Sequence, residues 1–561
     1  MGAMRLRRRE FFLGASLFAA SGGFPLSSAL ASPPQLDIAL RGGRIWTANR
    51  KAPVTDAIGI VGERIVALGA AEVASLVGPG TQVINLDGAF VTPGLIDCHV
   101  HFTKASLMIG QPSLRSASSK DEFIRRIARA AEEMPEGNWL TGGNWDNDSW
   151  GGELPTREWI DAVTPNTPVA VLRYDLHMML LNSLALERLG IGPDIADVDG
   201  GVIGRNPDGS LTGIFKDAAK NMVAARMPEI SDDDIDRANL KGMELALSKG
   251  ITQVHETGTD WRTFHSARRL HQSGKLEMRV YALNPLADWQ RLEQIIAEEG
   301  YGDSWVRWGG CKAVYDGSLG SRTALFYEPY LDDPTTSGIV ITDPAQLREW
   351  MVGADRSGMQ LAVHAIGDRA NDEVLEMMRH VVAKNGLRDR RMRIEHAQHL
   401  RPDAFEDFAA QGVIASVQPY HAIDDGRWAV RRIGEERLKT TYAFQSLMHS
   451  GAQVCFGSDW PVAPLDPLTG LEAAVLRQTL DGKNPDGWFP EQRVSIDDAL
   501  MAYTATAAYA GGCDAWVGSL RRGRLADLVV WDSDLTQIDP GELTSVAVRQ
   551  TIVGGKQVFR A

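Results

Sequence analysis

Cysteine is scarce in this chain: Cys98, Cys311, Cys455 and Cys513 are the four in 561 residues, and no two stand in C-x-x-C spacing. That density excludes a scaffold held by disulfides. The apolar runs around three of them predict buried free thiols, as suits folding in a reducing cytoplasm. Long apolar runs are missing too: no internal segment approaches the roughly 18 to 20 residues of a membrane-spanning helix. Positive charge is in deficit, with 58 Lys and Arg against 72 Asp and Glu and a formal charge of −14. Such an acidic balance argues against nucleic acid or an anionic membrane as the main partner. No internal repeat or low-complexity segment stands out. What is there, 44% apolar and 23% charged residues, is ordinary for a soluble globular protein. The chain is long enough for several domains or for one large barrel with additions.

The first residues break the acidic pattern. "RLRRREFFLGASLFAASGGF" carries a twin-arginine pair, Arg8 and Arg9, ahead of an apolar stretch, and Ala29-Leu30-Ala31 supplies a small-x-small cleavage pattern. Residues 1–31 resemble a bacterial twin-arginine signal, which predicts export to the periplasm or medium; an uncleaved membrane anchor is the alternative. Cleavage would remove four arginines and one glutamate, taking the formal charge to −17.

Residues 36 to about 90 read as short strands broken by glycine, and the C-terminus repeats that texture in "GSLRRGRLADLVVWDSD" and "VAVRQTIVGGKQVFRA". Two such ends predict one composite β-sandwich assembled from residues 32–90 and 513–561. Between them the rhythm changes. "FVTPGLIDCHVH", "GITQVHETG", "KLEMRVYAL", "RWGGCKAVYDG", "MQLAVHAIGD", "MRIEHAQ", "GVIASVQP" and "AQVCFGSDWP" are eight short apolar strands. Most are separated by helical stretches such as 262–272, 288–299, 368–385 and 402–411. Strands apolar on both faces and alternating with helices form a parallel sheet, and eight of them close a (β/α)8 TIM barrel, here residues 91–512. Residues 104 to about 249 do not fit the alternation and predict a large insertion after the first barrel strand, of the kind that covers an active site. The expected fold class is therefore α/β.

Polar residues close these strands. In "GLIDCHVHF", residues two apart point the same way, so Leu95, Asp97, His99 and His101 share one face. Two imidazoles side by side at a strand end can reach one metal ion; alone, the pair reads equally well as hydrogen-bonded surface histidines. Lys312 stands inside "GGCKAVYDG", His364 inside "LAVHAIGD", His396 inside "RIEHAQ", and Asp459 closes "VCFGSD". Each has a plain explanation as a core histidine, a structural cation or a helix cap. Together, four histidines, a lysine and an aspartate from five strands converge on the C-terminal rim, where the βα loops leave an open mouth. A lysine is expensive to bury unless neutralised or paired, and imidazole with carboxylate suits Zn²⁺ and its neighbours.

These motifs, with "GGNWDNDSW", "DLHMMLLNS" and "DGSLGSRTA", resemble the amidohydrolase superfamily of metal-dependent hydrolases. The branch they are similar to is amidohydrolase family 3, which includes N-substituted formamide deformylases, and the resemblance runs from about 36 to 561. It implies a divalent metal centre, two Zn ions by expectation. His99 and His101 would hold the more buried ion with Asp459, and His364 and His396 the second. Lys312 matches the position where relatives carry a carboxylated lysine bridging both; a single-ion site with unmodified Lys312 is the alternative. The implied chemistry is hydrolysis, since Zn²⁺ lowers the pKa of water from about 15.7 to about 7, with Asp459 as ligand and base passing the proton to a leaving nitrogen. The expected reaction cleaves an amide-type C–N bond of an N-acyl or N-formyl amine. A lactone, carbamate, cyclic amide or ester on the same centre, or a non-catalytic exported binding protein, are the alternatives.

His177, in "DLHMMLLNS", matches a histidine that relatives place over the substrate, against a structural role. His255 is expected at the same rim in a supporting role. Asp316 and Arg322 would orient Lys312 or bind a polar substrate group, or pair with each other. Trp145 and Trp150 would wall an apolar pocket or lie in the core. "DGSLGS" lacks the Lys-Ser/Thr ending of a phosphate loop, and no organic cofactor is required. The expected partners are a small-molecule amide-type substrate and, for the precursor, the twin-arginine export machinery; a homodimer is compatible with the sequence.

Overall fold

The computed structural model describes residues 35–134, 137–258 and 260–561. The expected signal, residues 1–31, lies outside them. Eight parallel strands form the centre: β1 (Leu95–Val100), β2 (Ile251–Glu256), β3 (Arg279–Pro285), β4 (Val306–Val314), β5 (Gln360–Ala365), β6 (Arg393–His396), β7 (Ile414–Val417) and β8 (Gln453–Phe456), paired in that order. Strands β1, β6 and β7 are buried along their whole length, as a parallel sheet covered on both faces requires. The connecting helices include Trp261–Gln272, Trp289–Glu299, Pro344–Arg356, Asp368–Asn385 and Ala404–Gln411. Each turns an apolar stripe inward; Asp368–Asn385 buries Val374, Leu375, Met377, Met378 and Val381. Asp260 and Asp343 accept backbone N–H groups at two of their N-termini, supplying partners that a helix start otherwise lacks.

The ring closes at its C-terminal end. Asp459 N donates to His99 O at 2.7 Å, and His101 N donates to Trp460 O at 3.0 Å. The first strand and the residues just past the last are thus stitched together by side-chain-bearing positions of the mouth itself.

Both ends of the chain contribute to a second, eight-stranded sheet, joined where Pro93 lies opposite Leu528. It has its own core around Leu40, Ile45, Ile58, Val91, Leu528 and Ile552. A buried Arg279–Asp527 pair, with contacts of 2.6 and 2.9 Å, ties it to β3. Between β1 and β2 the chain forms a cap from helix Lys120–Glu133 and a five-stranded sheet. Helix Asp232–Ser248, within the stretch expected as insertion, instead packs Met243, Ala246 and Leu247 into the barrel core. Its apolar face makes it a barrel helix, so the inserted part ends before it. All four cysteines are buried free thiols. No helix among the described residues is long and apolar enough to cross a membrane.

Candidate metal centre

Strand β1 delivers His99 into the barrel interior, fully buried. Its Nδ1 meets Oε2 of Glu395, on β6, at 2.6 Å. A carboxylate only accepts, so Nδ1 carries the proton and Nε2 keeps its lone pair. Burial alone would raise the Glu395 carboxyl, but the Arg393 guanidinium, 2.8 Å from Oε1, and His99 hold it below the usual carboxylate range. Arg393 is itself fixed by Cys98 O at 2.7 Å, His255 Nδ1 at 2.9 Å and Ser416 Oγ at 3.0 Å. His255 therefore sits inside the barrel beneath the mouth, as the partner of a buried arginine. It does not stand at the rim where its strand position predicts it.

Asp459 faces this histidine from beyond β8. Its Oδ1 lies 3.5 Å from His99 Nε2 and 3.2 Å from His101 Nε2, and its Oδ2 lies 3.2 Å from His421 Nε2. The His396 ring is 4.7 Å from that of His99, with Nδ1 held by Gln418 Oε1 at 2.7 Å. His99, His396 and Asp459 each offer a ligand atom, all within 4.8 Å of one another. Among the described residues, His99 Nε2 and Asp459 Oδ1 are buried polar atoms without a hydrogen-bond partner. Two bare polar atoms facing each other in a protein interior are costly, and a divalent cation satisfies both. Ligands of a tetrahedral ion at about 2.0–2.2 Å stand about 3.3–3.6 Å apart, close to the spacing of Asp459 from both imidazoles. The donor set fits a metal.

Electrostatics favour the ligating forms. Burial holds the His101 imidazole down to about 4 and lowers those of His99, His364 and His396, so all four are neutral at physiological pH. Burial opposes ionisation of Asp459, yet the nearby His99 and His101 and the hydrogen bond from His421 keep its carboxyl well below the usual range. His396, Ala397 and Asp459 adopt φ of 76°, 44° and 60°, a left-handed region that non-glycine residues seldom occupy and that gathers at sites.

Lys312 is 2% exposed and finds no hydrogen-bond or ion-pair partner among the described residues. Burial depresses its ammonium pKa, against the pull of Glu395 and Asp459. With His101, His364, His396 and Asp459 it lines one cavity of about 460 Å³ at the barrel mouth. His364 stands beside His396 on the same wall. Its Nε2 turns to Gly317 O at 3.1 Å and lies 3.5 Å from Asp316 Oδ1, while its ring sits 4.5 Å from that of His396.

Residues 82–559 match the model of the Amidohydrolase family. The chain belongs to that family. It is 41% identical over 541 residues to Protein LONG AFTER FAR-RED 3 of Arabidopsis thaliana, covering 93% of this chain and 91% of that protein. It is 27% identical over 552 residues to N-substituted formamide deformylase of Arthrobacter pascens, covering 92% and 97%. An uncharacterized metal-dependent hydrolase from Pyrococcus horikoshii shares its fold with a TM-score of 0.74 at 29% identity, over 90% of this chain and 99% of that one. The expected α/β barrel and the resemblance to family 3 are thereby shown.

In this amidohydrolase the cap brings His177 over the cavity, its Nδ1 held by Asp217 Oδ1 at 2.6 Å and its ring 5.4 Å from that of His364. Four other residues lie off the cavity wall. Trp145 is fully buried in the cap core, its Nε1 donating to Val171 O at 3.1 Å. Trp150 packs beside the same core, with its indole donating to Glu153 O. Asp316 spends its carboxylate on the backbone N–H groups of Leu325, Ile366 and Gly367. Arg322 pairs with Asp332, not with Asp316. The acidic ends of "GGNWDNDSW" and "RYDLH" serve docking: Asp148 and Asp175 clamp buried Arg173 at 2.8 Å, and Asp175 also accepts Ser318 and Ser321 hydroxyls from the loop after β4.

Sequence reading missed Glu395 and His421. Glu395 is a carboxylate inside an apolar strand, immediately before His396. His421 follows the end of β7 by four residues, on helix Pro419–Asp425, in the manner of the other rim residues. Glu395 was legible as a charged residue inside an apolar strand, whereas His421 lies on a helix, where a polar residue is unremarkable.

Proposed function

We propose that this amidohydrolase cleaves the amide-type C–N bond of an N-formyl or N-acyl amine at a centre of two zinc ions. The observation that carries the reading is the facing pair of partnerless buried atoms, His99 Nε2 and Asp459 Oδ1, of which Asp459 lines a cavity of about 460 Å³. Likeness over 92% of the chain to a protein named N-substituted formamide deformylase supports the choice of bond.

His99, His101 and Asp459 would hold the more buried ion, and His364 and His396 the second. Lys312 would stand between them as a carbamate: its neutral amine adds to CO₂, forming an N–C bond and releasing a proton, so a partnerless buried amine becomes an anion. When bound, such ions supply water acidified from about 15.7 to about 7 and polarise a carbonyl. Glu395 fixes the ring of His99. Asp459 takes the proton of the attacking water and hands it to the leaving nitrogen, with His421 holding its Oδ2. His177, braced by Asp217, presents its other ring nitrogen to the cavity, where it steadies the carbonyl oxygen.

The test is a panel of N-formyl, N-acetyl and longer N-acyl amines, with esters and lactones as controls, run with metal analysis and chelation. Chelator-sensitive amide hydrolysis restored by zinc is expected. Turnover of esters or lactones alone overturns the bond, and substoichiometric metal without chelator-sensitive turnover overturns the enzyme. Intact mass measured with and without bicarbonate checks the carbamate. Export through the twin-arginine route is part of the same proposal, checked by an N-terminal mass beginning at Ser32.

A further inference from the structure

The histidine that the cap holds over the cavity stands at the tip of a hairpin. Buried strands Ala170–Arg173 and Met178–Leu181 pair antiparallel, with Leu172 opposite Met179, and residues 174–177 join them. All four joining residues line the cavity. Leu176 adopts a φ of 61°, a left-handed conformation that a leucine keeps only where its surroundings impose it. Two of the bonds that impose it come from the cap. Lys220 Nζ donates to Leu176 O at 2.6 Å, and Asp217 N donates to His177 O at 2.9 Å.

From the barrel side, one carboxylate holds the tip. Asp175 Oδ1 accepts the backbone N–H of His177 at 3.1 Å. Its Oδ2 accepts the hydroxyls of Ser318 and Ser321 at 2.6 and 2.8 Å, and Arg173 Nη1 at 2.8 Å. Among the described residues, the two serine contacts are the hydrogen bonds that join 174–177 to the barrel. Both serines belong to the loop after β4, the strand of Lys312. That loop is itself fixed: Ser318 N donates to Thr323 Oγ1 at 3.1 Å, and Gly317 O lies 3.1 Å from His364 Nε2. Burial opposes ionisation of Asp175, but Arg173, His177 and the serines hold its carboxyl below the usual range. The ionised group accepts from all four donors at once.

The cap does not need this contact to hold together. Arg173 keeps Asn147 Oδ1 at 2.9 Å and Asp148 Oδ2 at 2.8 Å without it, and the cap has its own core around Trp145, Ile160 and Leu180. What the carboxylate adds is a fixed separation between the His177 backbone and the loop that meets His364.

We propose that, with His177 acting on the substrate as set out above, Asp175 is its positioning residue, tying the His177 backbone to Ser318 and Ser321 of the barrel. The Ser318→Ala/Ser321→Ala double variant cuts that tie on the barrel side and leaves Arg173 paired. Asp175→Asn removes the charge at its centre. Hydrogen exchange read by mass spectrometry should be about tenfold faster over residues 174–181 in both, with β4 and helix Lys120–Glu133 unchanged. For whichever compound of the panel is turned over, kcat should fall about tenfold or more at little change in KM, the scale of a small misplacement. In a His177→Ala background the same substitutions should change kcat by less than about twofold, because no ring is left to place. Exchange needs no turnover, and the comparison of backgrounds serves for an amide or an ester alike, so neither readout depends on the bond cleaved. Unchanged exchange over 174–181 in both variants overturns the proposal. So does a loss of kcat by the same factor with and without His177, which a purely structural contact would give.

Discussion

Glu395 and His99, 296 positions apart in the chain, meet at 2.6 Å inside the barrel. That contact decides which nitrogen of His99 faces Asp459. Replacing Glu395 with Gln keeps the shape but removes the charge that fixes the ring and balances Arg393. Metal affinity should fall about 10–100-fold, the usual effect of losing such a supporting partner. Competition with a chromogenic chelator measures it, and unchanged affinity would show that the contact does not support a metal ligand.

Asp459 is placed to carry both a cation and a proton. Asp459→Asn should lower kcat by about 10²–10⁴-fold, the range of a lost general base, and weaken metal retention as well. Steady-state kinetics beside metal analysis separates the two effects. A variant retaining wild-type kcat would remove Asp459 from the chemistry.

His177 and Asp217 act as a pair from the cap. His177→Ala is expected to lower kcat/KM by about 10²–10³-fold, and Asp217→Asn by less, with little change in thermal midpoint for the former. Loss of stability without loss of turnover would make the pair a structural feature of the cap.

Glu256 predicts a pH effect. Its carboxyl is pushed from 4.5 up to about 8 by burial, against the backbone N–H groups it accepts. Because the folded value lies above the unfolded one, the protonated form is favoured by folding. Its contribution to stability is complete below pH 4.5 and is lost as pH rises through about 8. In chelator-treated protein this group alone should give a fall approaching about 1.4 kcal/mol per pH unit inside that window. Glu256→Gln should flatten the curve in urea denaturation, and identical slopes in both proteins would contradict the assignment.

Trp145 is a cap-core residue, so Trp145→Ala should cost about 3–5 kcal/mol and leave KM near its wild-type value. A raised KM at unchanged thermal midpoint would return Trp145 to the substrate wall.

The barrel was legible because its signal is local. Runs such as "MQLAVHAIGD" and "GVIASVQP" are apolar on both faces, and helices of opposite polarity lie between them. The rim residues were legible for the same reason: His101, Lys312, His364, His396 and Asp459 interrupt or end apolar strands, where a polar side chain is conspicuous. Helix Asp232–Ser248 was misplaced into the insertion because a barrel helix and a cap helix carry the same amphipathic pattern. Trp145 and Arg322 misled because residue type does not reveal the direction of a side chain. His421 sits on a helix, where a polar residue is unremarkable.

The chain alone determined the alternation of strand and helix, the sheet shared by both termini, and which polar residues stand at strand ends, since periodicity and residue type are properties of neighbours. Tertiary structure alone decided the partnerships: His99 with Glu395, Asp459 between three imidazoles, and Arg322 with Asp332. These depend on closing a ring of strands whose members lie hundreds of residues apart, and on hydrogen-bond directions that no spacing in a sequence encodes.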